Sequence, residues 1–388
     1  MSNQLKDEIL ATLREVLPGD SRYGLHEPEL KGNEILYLTH CIESNWVSYL
    51  GEYVEQFERE LAKATETSHA VTMANGTVAL HLALLVAGVQ AGDEVLLPAL
   101  TFVATANAVS HCNATPHFVD SEMKTLGLDP DALESYLNDI AVIRNGVCYN
   151  RQSDRPIRAV IPVHIFGHPA RMKKLQEVAE TFHLAIVEDA AEALGSKMYN
   201  KPLGGDGLMG VLSFNGNKIV TTGGGGAVVT NDAELAERLK HLATTAKIQH
   251  PFAFEHDEIA FNYRMSNINA AVGCAQLEQL EGFVIRKRLL AKRYHDAFAP
   301  FPDVEFVSEP EGATSNYWLN AILIGRNSSA RRDEVIKHLI DANLHSRPVW
   351  TPMHKLTMYK NAPRANLSVC EDIATRLINL PSSPYLAN

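Results

Sequence analysis

Residues 69–87 read HAVTMANGTVALHLALLVA. A short strand-like run ends at Asn75-Gly76-Thr77 and passes straight into an apolar helical stretch, 77–87. Strand, turn and helix in that order form the building unit of an α/β domain. The rhythm recurs downstream. The runs DEVLLPA, TPHFVD, IRAVIPVH, LAIVED, GVLSFN and GAVVTND alternate with helical stretches at 101–111, 130–138, 169–182 and 232–242. Strands that are apolar almost throughout have both faces covered. The pattern therefore predicts an α/β fold, a mostly parallel sheet flanked by helices.

Outside this block the pattern changes. Residues 4–17 place Leu5, Ile9, Leu13, Val16 and Leu17 at helical spacing, and 53–64 do the same with Val54, Phe57 and Leu61. Beyond residue 250 the alternation fades: 267–299 reads as a long helix or helix pair, and 304–308, 317–324 and 346–350 read as strands. This predicts a large domain over 1–250 and a smaller α+β domain over 251–388, with the N-terminal helix free to pack on the second.

The 388 residues are 46% hydrophobic and 21% charged, with a formal net charge of −11, so a globular chain is expected and a nucleic-acid partner is not. The N-terminal stretch has no apolar signal region. The longest apolar stretch is broken by Asn75, Gly76, Thr77 and His81, which makes it a poor membrane span. Five scattered cysteines form no CxxC pair; a reducing cytoplasm fits them best.

In open parallel sheets, ligands bind beyond the carboxyl ends of the strands. Three such ends carry chemistry. Asn75-Gly76-Thr77 opens a helix, which suits a phosphate, and equally reads as a helix cap. Asp189, within Glu188-Asp189-Ala190-Ala191-Glu192, puts a carboxylate at a buried strand end, where it needs a cation, a salt-bridge partner or a helix to cap. The third is SFNGNKIVTTGGGG, 213–226. Its spacing breaks the GxxxxGK[ST] pattern, and its glycines precede a strand rather than open a helix, so neither nucleotide-loop motif fits. Lys218 is left with chemistry of its own, Schiff-base formation with an aldehyde cofactor. Pyridoxal 5′-phosphate (PLP) needs a phosphate cradle, an acid opposite its ring nitrogen and such a lysine. Phe102 is either a ring that stacks on it or a core aromatic. His164 and His168, four apart, lack an acidic third ligand, so no metal site is expected.

Taken together, NGTVALHLAL, PALTFVATANA, HIFGHP, VEDAAEALGS, SFNGNK, GGGGAVVTND, FNYRMSNINAA and PVWTPMH, in that order, resemble the nucleotide-sugar aminotransferases of the DegT/DnrJ/EryC1/StrS family, fold-type-I PLP enzymes. The resemblance implies a fold like that of aspartate aminotransferase. Lys218 would bind the cofactor and shuttle the proton, and Asp189 would pair with the ring nitrogen. The Gly76 and Thr77 amides with the Ser213 hydroxyl would hold the phosphate, and Phe102 would stack. Asn262 would reach the phosphate in a neighbouring subunit, implying a homodimer with shared active sites. Relatives with histidine at the lysine position deoxygenate sugars instead. Where relatives often carry glutamine or histidine beside the cofactor oxygen, this chain has Glu192; it would share a proton with that oxygen or turn away.

The stretches LHEPELKGNE, NWVSYLGEYVEQFE, ALHLALLVAGV and HDEIAFNYRM are similar to the legionaminic acid and bacillosamine branch. That branch implies L-glutamate as donor, a pyridoxamine 5′-phosphate intermediate form, and a UDP-linked 2-acetamido-4-keto-6-deoxyhexose aminated at C4. Trp46, Ser48, Asn217 and His354 are candidates to line the sugar pocket, with Trp46 and His354 equally readable as structural residues. Arg264 and Arg347 are placed on the donor carboxylate or the diphosphate, or in structural salt bridges. The alternatives are a C3- or C4-aminotransferase on a dTDP- or GDP-sugar, and a non-catalytic PLP-binding protein. A nicotinamide-dependent dehydrogenase would need a GxGxxG that is absent.

Overall fold

The computed structural model describes residues 4–17, 19 and 21–387. Three helices precede the sheet: α1 (Gln4–Val16), α2 (Glu34–Glu43) and α3 (Glu52–Thr65). Strand β1 (His69–Met73) then runs into α4 (Gly76–Val86), whose residues Ala79–Leu84 are all buried, as its lack of a polar face predicts. The alternation continues through β2 (Glu94–Pro98), α5 (Val103–His111), β3 (Thr115–Val119), α6 (Pro130–Ile140), β4 (Ile157–Val160), α7 (Met172–Phe182), β5 (Ala185–Asp189), β6 (Met209–Ser213), β7 (Gly226–Thr230) and α8 (Ala233–Ala243). A hairpin over Ala141–Arg144 and Val147–Asn150, not anticipated from the sequence, lies between α6 and β4.

The seven strands form one sheet in the order β1-β7-β6-β5-β4-β2-β3. The pairs from β6 to β3 are parallel, while β7 runs antiparallel to both β1 and β6. The connection from β6 to β7, residues 214–225, carries no helix to cover a sheet face, and the chain returns beside β6 as an antiparallel neighbour. The fold is that of the fold-type-I aminotransferases.

The long helical stretch splits at Glu278-Gln279 into α9 (Asn267–Leu277) and α10 (Leu280–Phe298). A second sheet follows, β8 (Val304–Phe306), β9 (Asn320–Ile324), β10 (Arg347–Pro348) and β11 (Leu377–Leu380), ordered β8-β9-β11-β10 and antiparallel throughout. The strand expected over 346–350 is only two residues long, since Pro348 lacks the N–H a ladder needs. Helices α11 (Arg332–Asp341) and α12 (Ser368–Arg376) complete the chain. Helix α1 buries Ile9 and Leu13, with Leu17 just beyond it, among Leu290, Tyr294 and Phe298 of α10 and Ile322 of β9. The two sheets are tied together where the Asp120 carboxylate, just past β3, accepts the Val369 and Cys370 N–H groups at 3.0 and 2.8 Å. Among the described residues no helix is long and apolar enough to cross a membrane.

Candidate active site

Lys218 lies in the loop between β6 and β7. The loop closes on itself: Phe214 N–H donates to the Gly225 carbonyl at 2.8 Å, and Thr222 N–H to that of Phe214 at 3.0 Å. With Phe214, Ile219 and Val220 buried beneath it, the loop holds the lysine inward, and the side chain is 13% exposed. Its Nζ stands 3.2 Å from Glu192 Oε1 and 3.8 Å above the centre of the Trp318 ring. Trp318 Nε1 in turn donates to the Asn217 carbonyl at 2.7 Å.

Asp189 ends β5 and is buried. Its Oδ2 accepts from Thr105 Oγ1 at 2.7 Å, and Oδ1 accepts the Ala191 N–H at 3.2 Å. Thr105 Oγ1 lies 2.8 Å from Thr101 Oγ1, one turn back across the start of α5. Burial pushes the Asp189 carboxyl above its ordinary value, only partly opposed by the Thr105 hydroxyl, the Ala191 amide and the Lys218 charge. A buried carboxylate with so little compensation is a seat for a cation.

At the mouth of α4, the Asn75 side chain takes the Val78 N–H at 3.0 Å. The cap and the cradle thus coexist: the Gly76 and Thr77 N–H groups have no protein partner among the described residues and face outward with the positive helix end. Ser213 closes this mouth. A Cβ added to Gly76 would stand 3.0 Å from Ser213 Cβ, so only glycine leaves that space open. Gly226 backs the cradle, where a Cβ would meet the Asn75 carbonyl and Gly76 nitrogen at about 2.6 Å.

Over residues 28–388 the sequence matches the profile of the DegT/DnrJ/EryC1/StrS aminotransferase family. The chain belongs to this family. It is 38% identical to a GDP-perosamine synthase of Escherichia coli O157:H7 over 364 residues, 94% of each chain. It is 34% identical to a dTDP-3-amino-3,4,6-trideoxy-alpha-D-glucose transaminase of Streptomyces venezuelae, over 87% of this chain and 84% of that one. A Streptococcus pneumoniae neighbour solved in its PLP form is 25% identical over 93% of this chain and 94% of that one, with a TM-score of 0.83. The chain is a PLP-dependent sugar aminotransferase of this family.

The residues of this site fit the cofactor. Two free amides and a hydroxyl meet at a helix mouth, an undercompensated carboxylate ends β5, and an inward lysine faces both a carboxylate and an indole. The Phe102 ring is 53% exposed and tilted against Trp350 at 6.5 Å, so it is not the core aromatic of the alternative reading. Glu192 is buried and turned towards Lys218. Its Oε2 accepts the N–H of Phe166, a non-glycine residue held at φ 56° in the 164–168 turn. Burial raises the Glu192 carboxyl, with the Lys218 charge opposing.

Other expected contacts are engaged elsewhere within the chain. Arg264 is largely buried and pairs with Glu58 at 2.8 Å, the structural salt bridge named above as its alternative. His354 meets Glu371 at 3.0 Å. Exposed Trp46 and Ser48 offer their carbonyls to Asn267, Trp46 to the side chain and Ser48 to the backbone N–H. Asn217 accepts from Asn215 through Oδ1 at 3.1 Å while its carbonyl holds Trp318. Arg347 is exposed on β10, and Asn262 is exposed and bridged to Thr244. His164 Nε2 bonds Glu188 at 2.9 Å, and His168 lies edge-on to Tyr317, its pKa lowered to about 4 by burial. Thr105 and Trp318 were not found from sequence. The i, i+4 pair Thr101 and Thr105 was a signal for the first; nothing local pointed to the second.

Proposed function

We propose that this enzyme transfers the amino group of L-glutamate to C4 of a UDP-linked 2-acetamido-4-keto-6-deoxyhexose, giving a UDP-4-amino-4,6-dideoxy-N-acetylhexosamine in a cytoplasmic amino-sugar pathway of the legionaminic acid and bacillosamine type. The observation that carries aminotransfer is Lys218 Nζ, held 3.2 Å from Glu192 beside an undercompensated Asp189. The C4 position and the UDP carrier are supported by the branch-like stretches from LHEPELKGNE to HDEIAFNYRM.

When bound, PLP supplies an electron sink that stabilises negative charge on the carbon attached to nitrogen. Asp189 would hold the protonated ring nitrogen by electrostatic preorganisation. The Gly76 and Thr77 amides with Ser213 anchor the phosphate at the α4 mouth. Lys218 Nζ takes the proton from the α-carbon of the amino donor and, on the return leg, delivers one to C4 of the sugar. Phe102 would cover the ring. Trp46, Ser48, Asn217, Arg264, Arg347 and His354 stay proposed as substrate contacts; Arg264 and His354 would first have to leave Glu58 and Glu371.

Asn262 is proposed to complete the phosphate site of a partner in a homodimer. Exposed Phe252, Phe254 and Ile259 in the segment leading to it give such a contact an apolar face. The division into 1–250 and 251–388 belongs to the same proposal, with α1 counted with the second domain. A second reading, a C3- or C4-aminotransferase on a GDP- or dTDP-ketosugar, is favoured by the names of the two relatives above.

The test is mass spectrometry of products from UDP-, GDP- and dTDP-4-ketosugars with L-glutamate. Amination of the UDP-sugar alone supports the proposal; amination of only a GDP- or dTDP-sugar replaces it by the second reading. Lys218→Ala should lose both turnover, by at least about a hundredfold, and the lysine-linked cofactor absorbance. Retention of both would remove Lys218 from the chemistry.

A further inference from the structure

Trp318 lies just before β9, far in sequence from the cofactor motifs, yet it touches the reacting lysine. The indole is 5% exposed, and Lys218 Nζ stands 3.8 Å above its ring centre. The indole is fixed from two sides. Its Nε1 donates to the Asn217 carbonyl, which pins the residue next to the lysine. The Trp318 backbone carbonyl accepts from Lys287 Nζ at 3.1 Å, and that fully buried amine also donates to the Ser382 carbonyl at 2.5 Å. Ser382 Oγ accepts the Asn320 N–H at 2.8 Å, so the start of β9 is clamped to the C-terminal segment.

Charge around Lys218 is arranged asymmetrically. Glu192 is its only carboxylate in contact among the described residues, and Asp189 is near enough to feel its charge. Beyond the indole lies the buried His26 ring, 6.4 Å from Trp318, its pKa held well below the usual imidazole value by burial first and by the nearby Lys287 and Lys218 amines. A desolvated ammonium over an indole face is held by the ring quadrupole, more strongly than one in water.

We propose that Trp318 is a positioning residue that seats Lys218 as a free ammonium, with Lys287 fixing the seat. This rests on the reading of Lys218 as the lysine that links to the cofactor. Nζ is free in the cofactor-free chain and in the amino form of the enzyme, and covalently engaged in the aldehyde form. A contact that favours the free ammonium therefore weakens PLP linkage and favours the amino form once a donor has reacted.

The test puts fluorinated tryptophans at position 318 of the full chain, which weakens the negative ring face at nearly constant shape. Two quantities are read by cofactor absorbance: the PLP concentration for half-maximal linkage, and the amino-to-aldehyde ratio at fixed L-glutamate and 2-oxoglutarate. Each added fluorine should lower both stepwise. Trp318→Leu should lower them by about tenfold and Trp318→Phe by no more than about threefold. A flat fluorine series overturns the proposal even if the leucine variant does not fold. So does a phenylalanine variant that shifts as far as leucine. If the linked absorbance survives Lys218→Ala, the reading of Lys218 fails instead; if it disappears while the fluorine series is flat, only the role of Trp318 falls.

Discussion

Asp189 illustrates how much a single buried carboxylate depends on one hydroxyl. Thr105 gives it its shortest hydrogen bond, and one to a charged group contributes about 1.5–3 kcal/mol. Thr105→Val should keep the fold, weaken PLP binding and lower kcat, with a changed cofactor spectrum as the check; unchanged spectrum and kcat would make Thr105 a bystander. The raised Asp189 carboxyl also carries a pH signature. Its folded pKa lies above its ordinary 3.8, so the native chain binds the proton more tightly than the unfolded one. The stability it contributes is present below that value and is lost as pH rises through the folded pKa. In the cofactor-free protein, Tm should therefore fall more steeply with rising pH above about 4 in wild type than in Asp189→Asn; parallel slopes would refute this. Glu192 puts a carboxylate oxygen 3.2 Å from Lys218 Nζ, where the cofactor would be linked. Glu192→Gln is expected to move the pH transition of the cofactor absorbance to lower pH, and superimposable titrations would remove Glu192 from the cofactor's surroundings.

At the level of elements, the cradle is built by three segments that meet: the α4 mouth, the end of β6 and the start of β7. The first was legible at Asn75-Gly76-Thr77, because a strand running into an apolar helix leaves unpaired amides there. The four glycines were not, because nothing local says what a missing Cβ makes room for. The structure separates them. Gly226 is pressed against Asn75 and Gly76, Gly225 against Thr222 and Met265, Gly223 has φ +77°, and Gly224 has open space. Gly226→Ala should push the α4 mouth aside and weaken PLP binding by about tenfold or more, since overpacking at such a contact costs about 1–3 kcal/mol. Gly224→Ala should change little. Fluorescence titration with PLP compares them, and equal affinities would show that the close approach carries no strain.

On the scale of the whole molecule, the site seen in one chain lacks the proposed contribution of Asn262, which is exposed and bridged through its backbone to Thr244 at the end of α8. If Asn262 serves a partner's phosphate, Lys218→Ala and Asn262→Ala chains should each have impaired activity alone, and mixing them should restore one intact site per mixed dimer. Recovery of activity on mixing, with dimer mass measured by light scattering, is the expected result. No recovery from confirmed mixed dimers would place Asn262 outside the partner's site.

The sequence by itself determined the strand–helix alternation, the mostly parallel sheet, and Lys218, Asp189 and the α4 mouth as strand-end chemistry. Those depend on hydrophobic period and on turn residues, which are written locally. The tertiary structure alone decided that Thr105 locks Asp189, that Glu192 faces Lys218 and Phe166, that Arg264 belongs to Glu58, and that α1 packs on α10. It also decided that Trp318, a hundred residues beyond Lys218, lies beneath its amine. Such pairings join residues far apart in the chain, and they are fixed only when two sheets dock and buried charges must find partners.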